Sequence, residues 1–162
     1  MKSLFVCAVI AISGSALCDS PAKEAFARFK SMEGTWTGKS NMGDEETTIT
    51  YKVTAGGSAV VETIEPGKPY EMISVYHMDG DDLVMTHYCA AQNQPFLKFK
   101  AGNSKNSFTF EFVRGSNMKP SDMHMHSVEF TFDGNDHCVS NWGSMADGKP
   151  GMSAKFDMRR VK

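Results

Sequence analysis

The chain has 162 residues, which is enough for one domain of ordinary size and too few for two. It carries 17 Lys and Arg against 19 Asp and Glu, a formal net charge of −2, and this near-balance excludes a protein that binds nucleic acid through a strong basic excess. Hydrophobic residues at 41% and charged residues at 22% exclude a wholly disordered chain.

The first residues have the pattern of a secretory signal peptide. Lys2 precedes an apolar run of about ten residues that ends at Ile12, and small residues occupy 13–16. The run is too short to span a membrane, which takes about 20 residues. We therefore expect residues 1–18 to be a signal peptide, with an uncleaved N-terminal anchor as the alternative. Residues 19–162 then form a single domain that is secreted or periplasmic and has no membrane span.

Residues 20–32 predict a short amphipathic helix. Ser20 can cap its N-terminus and Pro21 suits its first turn. Apolar residues recur on one face of this segment, at Ala22, Ala25, Phe26, Phe29 and Met32. A helix this short needs a partner surface, so we expect it to cover one end of a sheet.

From Gly34 onward, short β-type runs alternate with turn clusters, as in sandwiches and barrels. The alternation of apolar and polar residues is clearest in 108–112 and 128–132. The longest break between predicted strands is 114–122. The predicted strands are 34–42, 46–55, 58–65, 69–78, 82–91, 95–101, 106–113, 123–133, 137–145 and 152–161.

Strands that follow one another without intervening helices predict an all-β protein. About ten antiparallel strands in one sheet leave exposed edges unless the sheet closes on itself. We therefore predict an all-β, antiparallel up-and-down β-barrel of about ten strands with one short N-terminal helix, and a two-sheet sandwich is the alternative. Cys89 and Cys138 remain in the exported domain, on strands that this arrangement does not place side by side, and the sequence leaves their pairing open.

Two segments lie at opposite ends of the domain. The first strand opens with Gly-Thr-Trp-Thr-Gly at 34–38, and the last strand contains Arg159 and Arg160. This pair resembles the calycin superfamily, which contains lipocalins, fatty-acid-binding proteins and nitrobindin-like proteins, and the resemblance implies a lipocalin-like barrel. In calycins a basic residue near the chain end packs across the tryptophan of the first strand. The resemblance therefore implies a structural contact between Trp36 and Arg159 or Arg160.

Further segments that follow one another along the domain are 71–72, 76–81, 86–89, 93–95 and 123–126, together with Trp142. In this succession they resemble a family of small exported calycin-like proteins of unknown function. This second resemblance implies the fold and no particular activity. Nitrobindin-like barrels bind haem through a histidine in a late strand, and the late-strand positions here are His137 and the region of Trp142.

The histidines suggest a metal site as one alternative. His124 and His126 are two residues apart, so on a strand they lie on the same face. Two imidazoles could hold a metal with His87 or Cys89 as a further ligand. We expect no cofactor, with zinc or haem as the alternatives.

The 12 Met and 11 Phe residues indicate an adaptable apolar interior. We therefore predict that the barrel is a monomer that binds a small, mostly apolar molecule. The candidate polar contacts in the strands are Glu62, Tyr76, His87, Cys89, His124, His126 and Trp142. The alternatives are a metal- or haem-binding protein and a barrel enzyme that acts on a small ligand, for which the sequence assigns no catalytic residue.

Overall fold

The computed structural model describes residues 20–101, 104 and 106–162. The predicted signal peptide, with Cys7 and Cys18, lies outside these residues. Within the described ranges, no helix has both the length and the apolar character needed to cross a membrane.

The described chain folds into one helix, a short 3-10 turn at Ala55–Gly57 and ten strands. These elements are α1 Pro21–Ser31, β1 Gly34–Ser40, β2 Glu46–Thr54, β3 Ala59–Ile64, β4 Met72–Asp79, β5 Asp82–Tyr88, β6 Gln94–Ala101, β7 Ser107–Ser116, β8 His124–Asp133, β9 His137–Ala146 and β10 Lys149–Arg160. Each strand pairs with its neighbours in the chain, and β1 pairs with β10, so that the sheet is a closed barrel. The predicted fold class is confirmed, and the sandwich alternative is wrong because the sheet has no free edge that would separate two layers.

The barrel closes where β1 and β10 run antiparallel, with Trp36 opposite Arg160 and Gly38 opposite Met158. The two strands approach closely at Gly38, where an added Cβ would overlap the backbone carbonyl of Asp157. Glycine is therefore required at this position by the backbone of the neighbouring strand.

Alternating side chains fill the barrel, as β8 illustrates. Val128, Phe130 and Phe132 are buried, whereas Glu129 and Thr131 between them are exposed. The same period of two appears along most strands because successive side chains point to opposite faces of a sheet. The core is therefore the interior of the barrel.

Helix α1 closes one end of this interior. The Ser20 hydroxyl accepts a hydrogen bond from the backbone N–H of Lys23 at 3.4 Å and caps the helix. Phe29, which is fully buried, stacks on Tyr76 with ring centroids 4.4 Å apart and meets the edge of Phe130 at 5.1 Å. Aromatic packing therefore fills the end of the barrel that the helix covers.

The C-terminal end of α1 is tied to the barrel by Arg160. Its guanidinium lies over the Trp36 ring, 4.5 Å from the ring centroid, and donates to the backbone carbonyls of Ser31 and Glu33 at 2.7 Å each. The Trp36 indole N–H donates to the carbonyl of Met32 at 2.8 Å. The calycin resemblance implied a contact of Trp36 with Arg159 or Arg160, and in the structure Arg160 makes this contact.

Strand boundaries differ from the prediction at irregular registers. Strand β7 continues to Ser116, into the segment predicted as a break, and its register with β6 shifts between Phe96 and Leu97. Strand β10 begins at Lys149 instead of 152, and its register with β9 shifts between Pro150 and Ser153. A bulge interrupts the period of two on which the prediction depended, which explains both differences.

Candidate ligand-binding site

A cavity of about 510 Å³ opens at the end of the barrel opposite α1. The ends of the strands and the turns between them form its wall, and five methionine side chains contribute to it: Met42, Met72, Met123, Met125 and Met152. Ile64, Ala154 and Phe156 add further apolar surface. Its volume lies within the range of about 300–1,000 Å³ and its mostly apolar lining is of the kind that is usual for small-molecule pockets.

His87 and Trp142 are the most buried of the polar side chains that line the cavity. They are 1% and 2% exposed, and their ring centroids lie 4.7 Å apart. The indole Nε1 of Trp142 is buried, and no hydrogen-bond partner reaches it among the described residues. Buried N–H groups are almost always paired, so this unpaired donor is unusual. The nitrogen has almost no accessible surface, and an acceptor atom would reach it only after the side chains around it move.

His87 is held in place by Ser74, with 3.0 Å between the imidazole Nδ1 and the serine Oγ. Strand pairing sets this contact, because Ser74 of β4 lies directly opposite His87 of β5. Burial lowers the pKa of His87 to about 4, since the charged imidazolium is poorly solvated inside the barrel. The ring is therefore neutral at neutral pH and supplies no positive charge to the cavity.

A buried hydrogen-bond network surrounds the carboxyl group of Glu62. Tyr51 and Tyr76 donate their hydroxyl hydrogens to the two oxygens of Glu62, at 2.6 and 2.8 Å. Burial raises the pKa of Glu62, whereas hydrogen bonds from Tyr51, Ser74 and Tyr76 act in the opposite direction. Burial and the neighbouring Glu62 also raise the pKa of both tyrosines. Glu62 and Tyr76 are thus part of the packed interior and do not line the cavity.

His124 and His126 form a separate cluster with Phe112. Their imidazoles are in contact, with 3.2 Å between Nε2 of His124 and Nδ1 of His126, and Phe112 packs on both rings at 4.5 and 5.3 Å. Neither histidine lines the cavity. Among the described residues, no group of three His, Cys, Asp or Glu side chains is close enough to hold a metal ion.

The two cysteines of the domain are free thiols with different surroundings. Cys89 lines the cavity, and burial raises its pKa. Cys138 lies in β9, and burial raises its pKa to about 12. Neither thiol is an activated nucleophile, because activation requires a lowered pKa.

The late-strand residues do not fit the haem ligand that the calycin resemblance implies. The Nε2 of His137 is 2.8 Å from Oδ1 of Asp157, and the residue does not line the cavity. The late-strand side chain that does line it is Trp142, whose indole nitrogen is a donor only and offers no lone pair to iron.

A second concavity of about 660 Å³ lies beside α1, between the helix and the β8–β9 turn. Arg28 crosses it, donating to the side chain of Asn135 at 2.7 Å and to the carbonyl of Gly134, and lies over the Phe132 ring at 4.4 Å. None of the predicted ligand contacts lines it. The Met-lined cavity, which three of the predicted ligand contacts line, is therefore the better candidate site.

Sequence reasoning placed His87, Cys89 and Trp142 among the ligand contacts, and the structure brings these three to one cavity. It missed Ala154 and Phe156, although the alternation of β10 around Met158 carried a signal for both. It also missed the turn residues at the cavity mouth, for which no periodic signal exists.

Comparison with known proteins defines the fold and nothing further. No family model matches the sequence, and no curated protein does. Among solved structures, the crystal structure of Rv2717c from M. tuberculosis is similar, with a TM-score of 0.55 and 14% sequence identity over 88% of this chain and 99% of that one. The closed ten-stranded barrel and this similarity are consistent with a calycin-like fold.

Proposed function

We propose that the protein is an exported barrel that binds one small, mostly apolar molecule in the Met-lined cavity. The Met-lined cavity of about 510 Å³ carries this proposal. A bound molecule with an uncharged acceptor, such as a carbonyl or ether oxygen, would also satisfy the Nε1 donor of Trp142 once the side chains that cover this nitrogen move aside. The neutral imidazole of His87 beside it suits the same uncharged group.

Burial of apolar surface would supply most of the affinity. A ligand that loses about 250 Å² of apolar surface gains about 6 kcal/mol at about 25 cal/mol per Å², and lost translational freedom offsets part of this. The hydrogen bond to Trp142 would add about 1 kcal/mol and would set the orientation of the ligand. Flexible methionine side chains can adapt to more than one ligand shape.

A fluorescence titration with N-phenyl-1-naphthylamine, an uncharged apolar dye, tests the cavity. We expect saturable binding and displacement by 2-decanone at about fivefold lower concentration than by 1-decene, because only the ketone can accept from Trp142. Trp142→Phe should reduce this ratio to about one and retain dye binding. Failure of the dye to bind would contradict the proposed function.

Export has a separate test. We expect the protein isolated from its own source to begin after residue 16 or residue 18, which mass determination of the intact chain would show. A chain that retains its first residues would contradict a cleaved signal peptide and would leave the cavity proposal unaffected.

A further inference from the structure

We infer that the ligand of this cavity is a cationic amphiphile, with its apolar part in the barrel and a positive charge at the mouth. The inference rests on the proposed function and specifies the chemical class of the ligand. Two observations carry it: the apolar cavity of about 510 Å³ at the open end of the barrel, and the negative sign of every charged side chain that lines it.

The charged side chains of the cavity wall all have the same sign. Asp44 and Glu45 lie in the turn between β1 and β2, and Glu65 directly follows β3. None of the described residues that line the cavity is Lys or Arg. The mouth therefore presents three carboxylates to an incoming molecule.

Basic residues offset this charge only weakly. Lys68 lies 3.8 Å from Glu45, and both side chains are largely solvated, at 48% and 85% exposure. A solvated pair at this distance is weak. In the described part of the chain, no basic group lies within 4.0 Å of the carboxylates of Asp44 and Glu65.

The depth of the cavity determines where a charge can lie. Its most buried lining residues are the neutral His87, Trp142 and the apolar Ile64, Ala154 and Phe156. A charged group beside them would lose its hydration without a counter-charge. At the mouth, a cation remains partly hydrated and faces three carboxylates. Tyr70, half-exposed and part of the same wall, adds an aromatic face of the kind that attracts ammonium groups. An anionic head group would meet repulsion at the mouth.

Displacement of N-phenyl-1-naphthylamine from the full-length protein tests the inference. The competitors share a ten-carbon chain and differ in charge: decyltrimethylammonium, 1-decanol and decanoate, all below the concentrations at which they form micelles. At low salt we expect decyltrimethylammonium to displace the dye at about tenfold lower concentration than decanoate, with decanol between them. At 1 M salt, where the screening length is about 3 Å, the difference should largely disappear.

A double variant and a matched control locate the effect. Glu45→Gln/Glu65→Gln should reduce the tenfold preference to about twofold. Glu46→Gln/Asp81→Asn makes the same change in net charge at exposed positions that do not line the cavity, and it should leave the preference intact.

The outcomes separate the two proposals. Binding of the dye with equal displacement by all charge types, or a preference that the control pair lowers as much as the mouth pair, would overturn the cationic ligand alone. Absence of binding by the dye and by all three competitors would overturn the proposed function and this inference with it.

Discussion

Two buried titratable residues show how one cause produces opposite pKa shifts. Burial disfavours the charged form of any side chain, so it lowers the pKa of the base His87 and raises the pKa of the acid Glu62. Both residues are almost completely buried. Their contributions to stability should therefore change with pH in opposite directions.

For His87, stability should fall as the pH falls. The unfolded chain binds a proton near pH 6.5, whereas the folded chain resists protonation down to about pH 4, so the contribution is fully present above 6.5 and is lost towards 4. Over this window the free energy of unfolding of the wild type should decrease by about 3 kcal/mol relative to that of His87→Asn. Urea unfolding at pH 7, 5.5 and 4.5 measures this difference. His77→Asn, on the partly exposed His77 of the neighbouring strand, is the control.

For Glu62, the contribution to stability should fall as the pH rises. The folded-state pKa is raised above 4.5 by burial, so the folded protein holds the proton more tightly than the unfolded chain does. The wild type should therefore lose stability relative to Glu62→Gln as the pH rises from 4.5 through the raised folded pKa. The same unfolding measurements on Glu62→Gln, with Glu46→Gln on an exposed carboxylate as control, give the slope. If the free energy of unfolding of the wild type, relative to that of Glu62→Gln, stays constant or rises with pH, the raised pKa is contradicted.

Side chains next to a bulge were the hardest to predict. The sequence predicted a shared face for His124 and His126, and their imidazoles are in contact. It also grouped His87 with them as a possible metal ligand, but His87 lines the cavity and the other two pack on Phe112. The register of β8 with β9 shifts between Met125 and Ser127. A single extra residue changes which side chains point inward, and no periodic signal in the sequence marks it.

At the scale of elements, the strands were predictable because turn chemistry marks their ends. Gly80 and Gly134, both with positive φ, lie in turns that the sequence identified. The boundary of the last strand failed, because the sequence predicted its start at 152 although the strand runs from Lys149 through Pro150 with a shifted register. Pairing with β9 outweighs the local preference of these residues for a turn. Such pairing is a tertiary effect, and the intrinsic β-propensity of single residues does not include it.

The attachment of α1 to the barrel depends on the shape of the Arg160 side chain. The planar guanidinium lies over Trp36 while donating to the carbonyls of Ser31 and Glu33 and to Asp136. A lysine ammonium carries the same charge without the planar fork, so it cannot make these contacts together. The last carbonyls of the helix would then lose their partners.

We expect Arg160→Lys to lower the free energy of unfolding by about 2 kcal/mol. The neighbouring Arg159→Lys, on an exposed side chain of the same strand, should change it by less than about 0.5 kcal/mol. Urea denaturation followed by circular dichroism compares the two. Equal effects of both substitutions would show that the arginine–tryptophan contact does not anchor the helix.

The whole molecule has a filled end and an open end. Phe29 and its aromatic neighbours occupy the space beneath α1, whereas the opposite end keeps about 510 Å³ of space among side chains of turns and strand ends. Closure of the sheet removes its edges, so the barrel tolerates an open end without exposing unpaired strands. A ligand could therefore enter without breaking any strand pairing.

Filling the open end should separate binding from stability. Ala154 of β10 lies opposite Trp142 of β9, is 4% exposed and contributes to the cavity wall. Ala154→Leu places a larger apolar side chain in the space where a ligand would lie. We expect the affinity for N-phenyl-1-naphthylamine to fall at least about tenfold while the free energy of unfolding stays constant or rises, because the added carbons bury apolar surface. Val61→Leu, on a partly exposed residue outside the cavity, should change neither. Unchanged dye binding by Ala154→Leu would place the dye elsewhere, with the concavity beside α1 as the next position to test by substitution of Arg28.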